Sequence, residues 1–214
     1  MEPIKVLTID LKRLNIISVK EGGGKETRSL HVEGNDGEKF AFRSVEKFPA
    51  AAIPEELRKT LVEKLALDGL SASYPYGVLS MGVLSTAARV PFLKNELICL
   101  PDDSTLGKYQ SQYKNTLVFM EDTRDPVTGD SSINKITTIS TGDLIYELKS
   151  SNNRVNQLAV LRARLLDNFV MDFDRHEEQW DWYAIDSSKN RTYYPVPKDR
   201  DQVFLLTRDY YPVF

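Results

Sequence analysis

The sequence predicts a two-lobed α+β protein, and three observations predict it. Strand-like alternation dominates the first part of the chain. Helical periodicity takes over after Thr141, and a joint rich in Asp, Thr, Ser and Gly separates the two at 122–140. Strands followed by helices, rather than alternating with them, indicate segregated layers and a cleft at the joint. The expected division is 1–121 as a strand-rich lobe, 122–140 as a linker or inserted loop, and 141–214 as a helical second lobe cut short.

The elements follow in order. Asn15-Ile16-Ile17-Ser18-Val19 reads as a strand, leads through Gly22-Gly23-Gly24, and is followed by a second strand at Ser29-Leu30-His31-Val32. Asn35-Asp36-Gly37 is a hairpin signal ahead of Phe40-Ala41-Phe42-Arg43-Ser44-Val45. Pro54 near a first turn, with Leu57, Leu61, Val62 and Leu65 at helical spacing, predicts a helix over 54–67. A more apolar helix is expected over 75–88, then strands at 94–100 and 113–121 joined by the polar loop Pro101-Asp102-Asp103-Ser104. Thr141-Gly142-Asp143 caps a short helix, and Asn153 is the expected cap of a longer one over 154–171. That helix is expected to place Leu158, Leu161, Leu165, Leu166 and Phe169 on one face. Trp182-Tyr183-Ala184-Ile185 and Tyr193-Tyr194-Pro195-Val196 form a strand pair about the turn Asp186–Asn190.

Bulk properties exclude several classes. At 214 residues the chain suits one or two domains with a sizeable core, and 41% hydrophobic content is ordinary for a folded protein. A net charge of -3 leaves no basic footprint, which argues against nucleic acid as a partner. The single cysteine, Cys99, allows neither an intramolecular disulfide nor a cysteine-based zinc site, and its apolar neighbours predict a buried structural thiol. No stretch has the ~20 apolar residues of a membrane span, and the N-terminus lacks a signal-peptide pattern. The hydrophobic end Tyr210-Tyr211-Pro212-Val213-Phe214 reads as a cut within a longer protein.

Carboxylates cluster where chemistry is expected. Asp172-Phe173-Asp174-Arg175-His176-Glu177-Glu178-Gln179-Trp180 is followed about twenty residues later by Pro197-Lys198-Asp199-Arg200-Asp201-Gln202. Crowded acids repel unless something neutralises or uses them, and a divalent cation with phosphate does so. Asp174, an amide side chain five positions on at Gln179, a hairpin and a second acidic motif repeat the order of a phosphoryl-transfer catalytic loop. In that reading Asp174 orients the attacking hydroxyl and Gln179 with Asp199 or Asp201 holds Mg²⁺. Arg175 or His176 then holds the loop or a phosphate. The competing readings are a solvated acidic turn and a surface salt-bridge cluster.

Upstream, Gly22, Gly23, Gly24 and Lys25 lie between two strands, where glycines let backbone amides approach phosphate. No Gly-Lys-Ser/Thr precedes a helix, so this is no Walker A loop, and a plain flexible hairpin fits as well. Arg43 alternates with Phe40 and Phe42, and Lys47 follows; either is a candidate phosphate cation, or Arg43 is an edge-strand surface charge. Leu117-Val118-Phe119-Met120-Glu121 is either a core strand or a hinge whose backbone meets adenine. His31 reads as structural, and one histidine at 176 cannot make a zinc centre.

Together, Leu165 to Trp180 and Pro197-Lys198-Asp199-Arg200-Asp201 resemble the atypical kinase-like superfamily, which includes the HipA-type, CotH-type and secretory-pathway kinases. The segments Gly22–Leu30 and Phe42–Lys47 look like bacterial envelope proteins in which such a region accompanies an outer-membrane barrel or a phosphoesterase domain. The resemblance covers roughly 15–210. It implies a bilobal protein-kinase-like fold binding ATP and Mg²⁺, an unidentified hydroxyl acceptor, and a bacterial periplasmic or outer-membrane setting with a membrane-associated neighbouring domain. By the same resemblance Asp174 is the catalytic carboxylate, Gln179 the second metal ligand, Asp199 or Asp201 the principal one, and Arg43 or Lys47 the phosphate cation. Three features depart from the pattern. Gln replaces the usual Asn at 179, Arg replaces the usual Lys at 43, and only Glu56 or Glu63 offers a helix partner for that cation. The alternatives are an inactive nucleotide-binding or interaction domain, and a metal-dependent glycosyltransferase or phosphoesterase using Asp-X-Asp at 172–174 or 199–201.

Overall fold

A computed structural model describes residues 6–22, 27–48, 74–129, 136–186 and 190–204, with 55, 58–61 and 63–64. The chain divides into two compact units, Met1–Ala72 with Asn95–Thr123, and Ser73–Lys94 with Arg124–Phe214. This differs from a break at 122–140. Residues 77–88, expected with the strands, belong to the second unit because Met81 and Val90 pack against Ala163, Leu166 and Val170. The predicted helix over 54–67 lies largely outside the described residues.

The first unit is built on a six-stranded sheet ordered β1-β5-β6-β4-β3-β2. The strands are β1 Leu7–Thr8, β2 Ile16–Glu21, β3 Thr27–Gly34, β4 Lys39–Lys47, β5 Asn95–Cys99 and β6 Leu117–Asp122. All neighbours pair antiparallel except β1, which runs parallel to β5. The β3–β4 hairpin forms at the predicted turn, where Gly37 adopts φ 77° without a Cβ penalty. Alternation then sends Leu30 and Val32 inward while His31 stays exposed. With Phe42, Ile98, Leu100 and Val118 they form one apolar cluster. Burying a side chain the size of Phe42 contributes roughly 2–3 kcal/mol.

Between β5 and β6 the chain is not the short polar loop expected. A 3₁₀ helix, Ser104–Tyr109, capped by Asp103, runs into a short helix α2, Gln110–Tyr113. The strand predicted at 113–121 therefore starts later, at Leu117, and Tyr113 belongs to the helix that seals the core. Cys99 is half-buried rather than fully enclosed.

The second unit, expected to be helical, also carries a four-stranded sheet, ordered β7-β9-β10-β8. Its strands are β7 Thr138–Ser140, β8 Arg154–Val155, β9 Trp180–Asp186 and β10 Arg191–Pro197, and its helices are α1 Gly77–Ala88, α3 Thr141–Ser150 and α4 Gln157–Phe169. Helix α3 starts at a capping box: Ser140 accepts from the Asp143 amide, and the Asp143 carboxylate accepts from the Ser140 amide. Helix α4 is capped by Asn156, whose side chain accepts from the Ala159 amide, not by Asn153. Asn153 instead accepts from the Arg191 amide, because Arg154 and Val155 extend to pair with β10.

The face of α4 is also reversed from expectation. Leu158, Leu161, Leu165 and Phe169 are exposed, whereas Ala163, Leu166, Asp167 and Val170 are buried. The inward stripe is thus a narrow one at 163, 166, 167 and 170, and it contains a carboxylate. Among the described residues, no helix is long and apolar enough to cross a membrane.

Candidate functional site

The site is assembled around the loop that joins α4 to β9. Val170 ends the helix, Met171 turns the chain at φ 56°, and the Asp172 amide donates to the Asp167 carbonyl at 2.9 Å. This turn folds the loop back on the helix it has just left. Asp172 is thereby brought beside Asp167, and both side chains are essentially fully buried, at 1% and 0% exposure.

Two buried acids so close require cations, and the chain supplies two. The Arg175 side chain is 1% exposed; its Nε lies 3.2 Å from Asp167 Oδ2, and its Nη2 pairs with Asp172 Oδ2. Arg200 Nη1 lies 2.8 Å from Asp167 Oδ1 and 3.3 Å from Asp172 Oδ2. Arg164, half-exposed, adds a third cation to Asp167 at 2.9 Å. Charges in the interior are tolerated only when paired and hydrogen-bonded in this way.

Arg175 does more than neutralise. Its Nη1 donates to the Gln179 carbonyl and to Gln179 Oε1, each at 3.2 Å, and to the Lys198 carbonyl at 2.5 Å. Its guanidinium also lies 5.3 Å from the centre of the Trp180 ring. One planar fork therefore ties the α4–β9 loop to the segment leaving β10. The Lys198 amide adds a second tie, donating to the Gln179 carbonyl at 3.0 Å.

At the surface of this buried frame stands Asp174. Its Oδ2 accepts from Gln179 Nε2 at 3.3 Å and from Gln202 Nε2 at 3.0 Å. The residue itself is exposed, so its carboxylate is oriented by two amides and still open to solvent. Burial pushes the Asp172 carboxyl up to about 6, against the pull of Arg175 and Arg200, and Asp167 and Asp201 push the same way as burial. The same burial lowers the Arg200 guanidinium pKa, with the Asp167 carboxylate opposing it. Among the described residues, three buried atoms, Asp172 Oδ1 and Arg200 Nε and Nη2, have no hydrogen-bond partner.

The predicted residues fare differently. Asp174, Arg175, Gln179 and the segment bearing Asp199 and Asp201 come together. Arg175 is a buried positioning residue, with no side-chain surface left to meet a substrate. The amide oxygen of Gln179, the atom a cation would use, accepts from Arg175 instead. Asp199 and Asp201 do not alternate along a strand: β10 ends at Pro197, Asp199 turns at φ 51°, and a turn begins at Asp201. His176 is exposed and contributes its carbonyl to the Gln179 amide at 3.1 Å.

In the first unit, Gly23, Gly24 and Lys25 lie outside the described residues. Gly22 has a packing reason to be glycine, since a Cβ there would meet Ser29 Oγ at 2.0 Å and His31 Nε2 at 2.9 Å. Arg43 ion-pairs with Glu121 at 3.6 Å, and Glu121 is buried within β6, paired with both β4 and β5. Lys47 ends β4, opposite Thr27.

Sequence reasoning missed Asp167, Arg200 and Gln202 as members of the site. A signal existed for Asp167: it sits at helical spacing with Ala163, Leu166 and Val170, a carboxylate on an apolar stripe. Among the described residues, no three His, Cys, Asp or Glu side chains converge to hold a metal ion. Comparison with known proteins finds no matching family model, no matching curated protein and no matching solved structure.

Proposed function

We propose that the second unit carries a kinase-like phosphoryl-transfer loop that works with ATP and Mg²⁺ on a hydroxyl acceptor. One observation carries this reading: the exposed Asp174 carboxylate is held by Gln179 five residues on and by Gln202 across the hairpin, on a loop anchored by buried Arg175. Phosphoryl transfer asks the protein chiefly for positioning and electrostatics, and a carboxylate fixed by amides yet open to solvent suits the task of orienting a hydroxyl and accepting its proton. Asp199 and Asp201, leaving β10, offer the hard oxygens that Mg²⁺ prefers, and this ion commonly takes one or two carboxylates with phosphate oxygens completing its shell. Magnesium would neutralise charge on the phosphates there. Gln179 is reassigned from ligand to positioning residue, since its oxygen is engaged by Arg175.

A second reading, a domain that binds a nucleotide without turnover or only scaffolds a neighbour, draws on that same engaged oxygen and on the Arg43–Glu121 pair. Thermal-shift titration with ATP, with and without Mg²⁺, separates the two, because a ligand that binds only the native state raises Tm by mass action. The phosphotransferase reading expects a Mg²⁺-dependent rise that Asp199→Asn or Asp201→Asn abolishes. Asp174→Asn should keep that rise but lose ATP turnover. Binding without turnover in the unmodified chain supports the second reading, and no shift with any nucleotide sinks the first.

A further inference from the structure

Helix α4 carries two apolar stripes, and the fold covers one of them. Ala163, Leu166 and Val170 are buried in a cluster with Met81, Val90 and Val203. On the other side Leu158, Leu161, Leu165 and Phe169 are each more than half exposed. A single exposed leucine is ordinary, but these four follow one another at intervals of three and four residues. Side chains so spaced adjoin on the helix surface, so they form one line, roughly 16 Å long at 1.5 Å per residue.

The line is narrow and its borders are basic. At 3.6 residues per turn the four side chains span an arc of about 80°, the width of a coiled-coil seam rather than of the broad apolar face that rests on a bilayer. Leu158, Leu161 and Leu165 occupy successive a, d and a positions of a heptad, and Phe169 extends the line by one turn. In that register the bordering e and g positions fall on Arg162 and Arg164, neither of them buried. The one carboxylate of α4, Asp167, is turned into the core. Charges at e and g set partner choice, so a seam bordered by arginines selects a seam bordered by acids. A second copy of this chain would instead bring two positive borders together.

We propose that the outer face of α4 docks an acidic amphipathic helix, whose apolar seam covers Leu158, Leu161, Leu165 and Phe169 and whose bordering carboxylates meet Arg162 and Arg164. The face lies wholly within the second unit and is independent of the phosphoryl-transfer reading. Arg164 also pairs with Asp167 at 2.9 Å, so Arg162 is the cleaner test of the border charge.

The probe is a fluorescein-labelled peptide of three heptads with Leu at a and d and Glu at e and g, whose own repulsion keeps it from self-pairing. Its counterpart carries Lys in place of Glu. Fluorescence anisotropy with the full chain should show saturable binding of the acidic peptide, half-complete below about 100 μM and at least about tenfold tighter than that of the basic one. Leu161→Ala with Leu165→Ala should weaken it about tenfold or more while far-UV circular dichroism stays unchanged. Arg162→Glu should bring the two peptides to within about threefold of each other, a reversal that a merely structural role would not produce. Absent binding overturns the proposal, as does equal affinity for both peptides or unchanged affinity in the folded double variant. Two further results overturn the choice of partner. One is a dimer in sedimentation that the double variant loses, and the other is co-sedimentation with phosphatidylglycerol vesicles that the same variant loses.

Discussion

Replacing Arg175 by Ala should unfold most of what makes the second unit a unit. The substitution deletes ion pairs to Asp167 and Asp172 and hydrogen bonds to the Gln179 carbonyl, Gln179 Oε1 and the Lys198 carbonyl. Removing one partner of a buried ion pair costs about 3–5 kcal/mol, and each buried acceptor left without a donor costs roughly 1–3 kcal/mol more. These terms share partners and do not add, so about 5 kcal/mol is a reasonable expectation. That is the whole stability of a marginal domain. Both tryptophans of the chain, Trp180 and Trp182, lie in β9 of this unit, so intrinsic fluorescence during urea unfolding reports on it selectively. The expected result is a fluorescence transition displaced to much lower urea. Arg175→Lys should recover less than half of the loss, because an ammonium cannot reproduce the planar fork. An Arg175→Ala transition within about 1 kcal/mol of the parent would show that the buried frame does not hold the loop.

Two further outcomes follow from burial and charge. A carboxyl whose folded pKa is raised, as Asp172 is to about 6, lends stability below its unfolded value near 3.8 and loses it as pH climbs through 6. At about 1.4 kcal/mol per pKa unit, and with the unfolded carboxyl already more than half ionised at pH 4, the parent should therefore lose about 2 kcal/mol relative to Asp172→Asn between pH 4 and pH 7, read from urea midpoints; a difference that stays flat with pH refutes it. On helix α4, Leu166→Ala should cost about 2–5 kcal/mol, whereas Leu161→Ala on the exposed face should stay within about 0.5 kcal/mol. Thermal denaturation of the two variants separates the faces, and equal losses would restore the wider apolar face that periodicity suggested.

Much of this protein was legible along the chain. The β3–β4 hairpin and the β9–β10 pair depend on local chemistry, a glycine able to take positive φ and period-two alternation; the helix start near Thr141 was legible too, although the residue that caps it is Ser140, paired with Asp143. The α4–β9 loop was likewise visible as a density of carboxylates that electrostatics alone would disperse. What local signals could not supply was partnership. Five apolar residues on α4 satisfied a helical period, yet four of them face solvent, because the buried stripe was chosen by what Met81, Val90 and Val203 could pack against. Nor could spacing reveal that Arg175 would turn inward, or that Arg200, from beyond the hairpin, would share two acids contributed by α4 and its loop. The sequence by itself determined which groups carry charge and which segments form strand or helix. Only the tertiary structure decided which charges are desolvated and paired, because that free energy depends on distances between residues as far apart as 167 and 200.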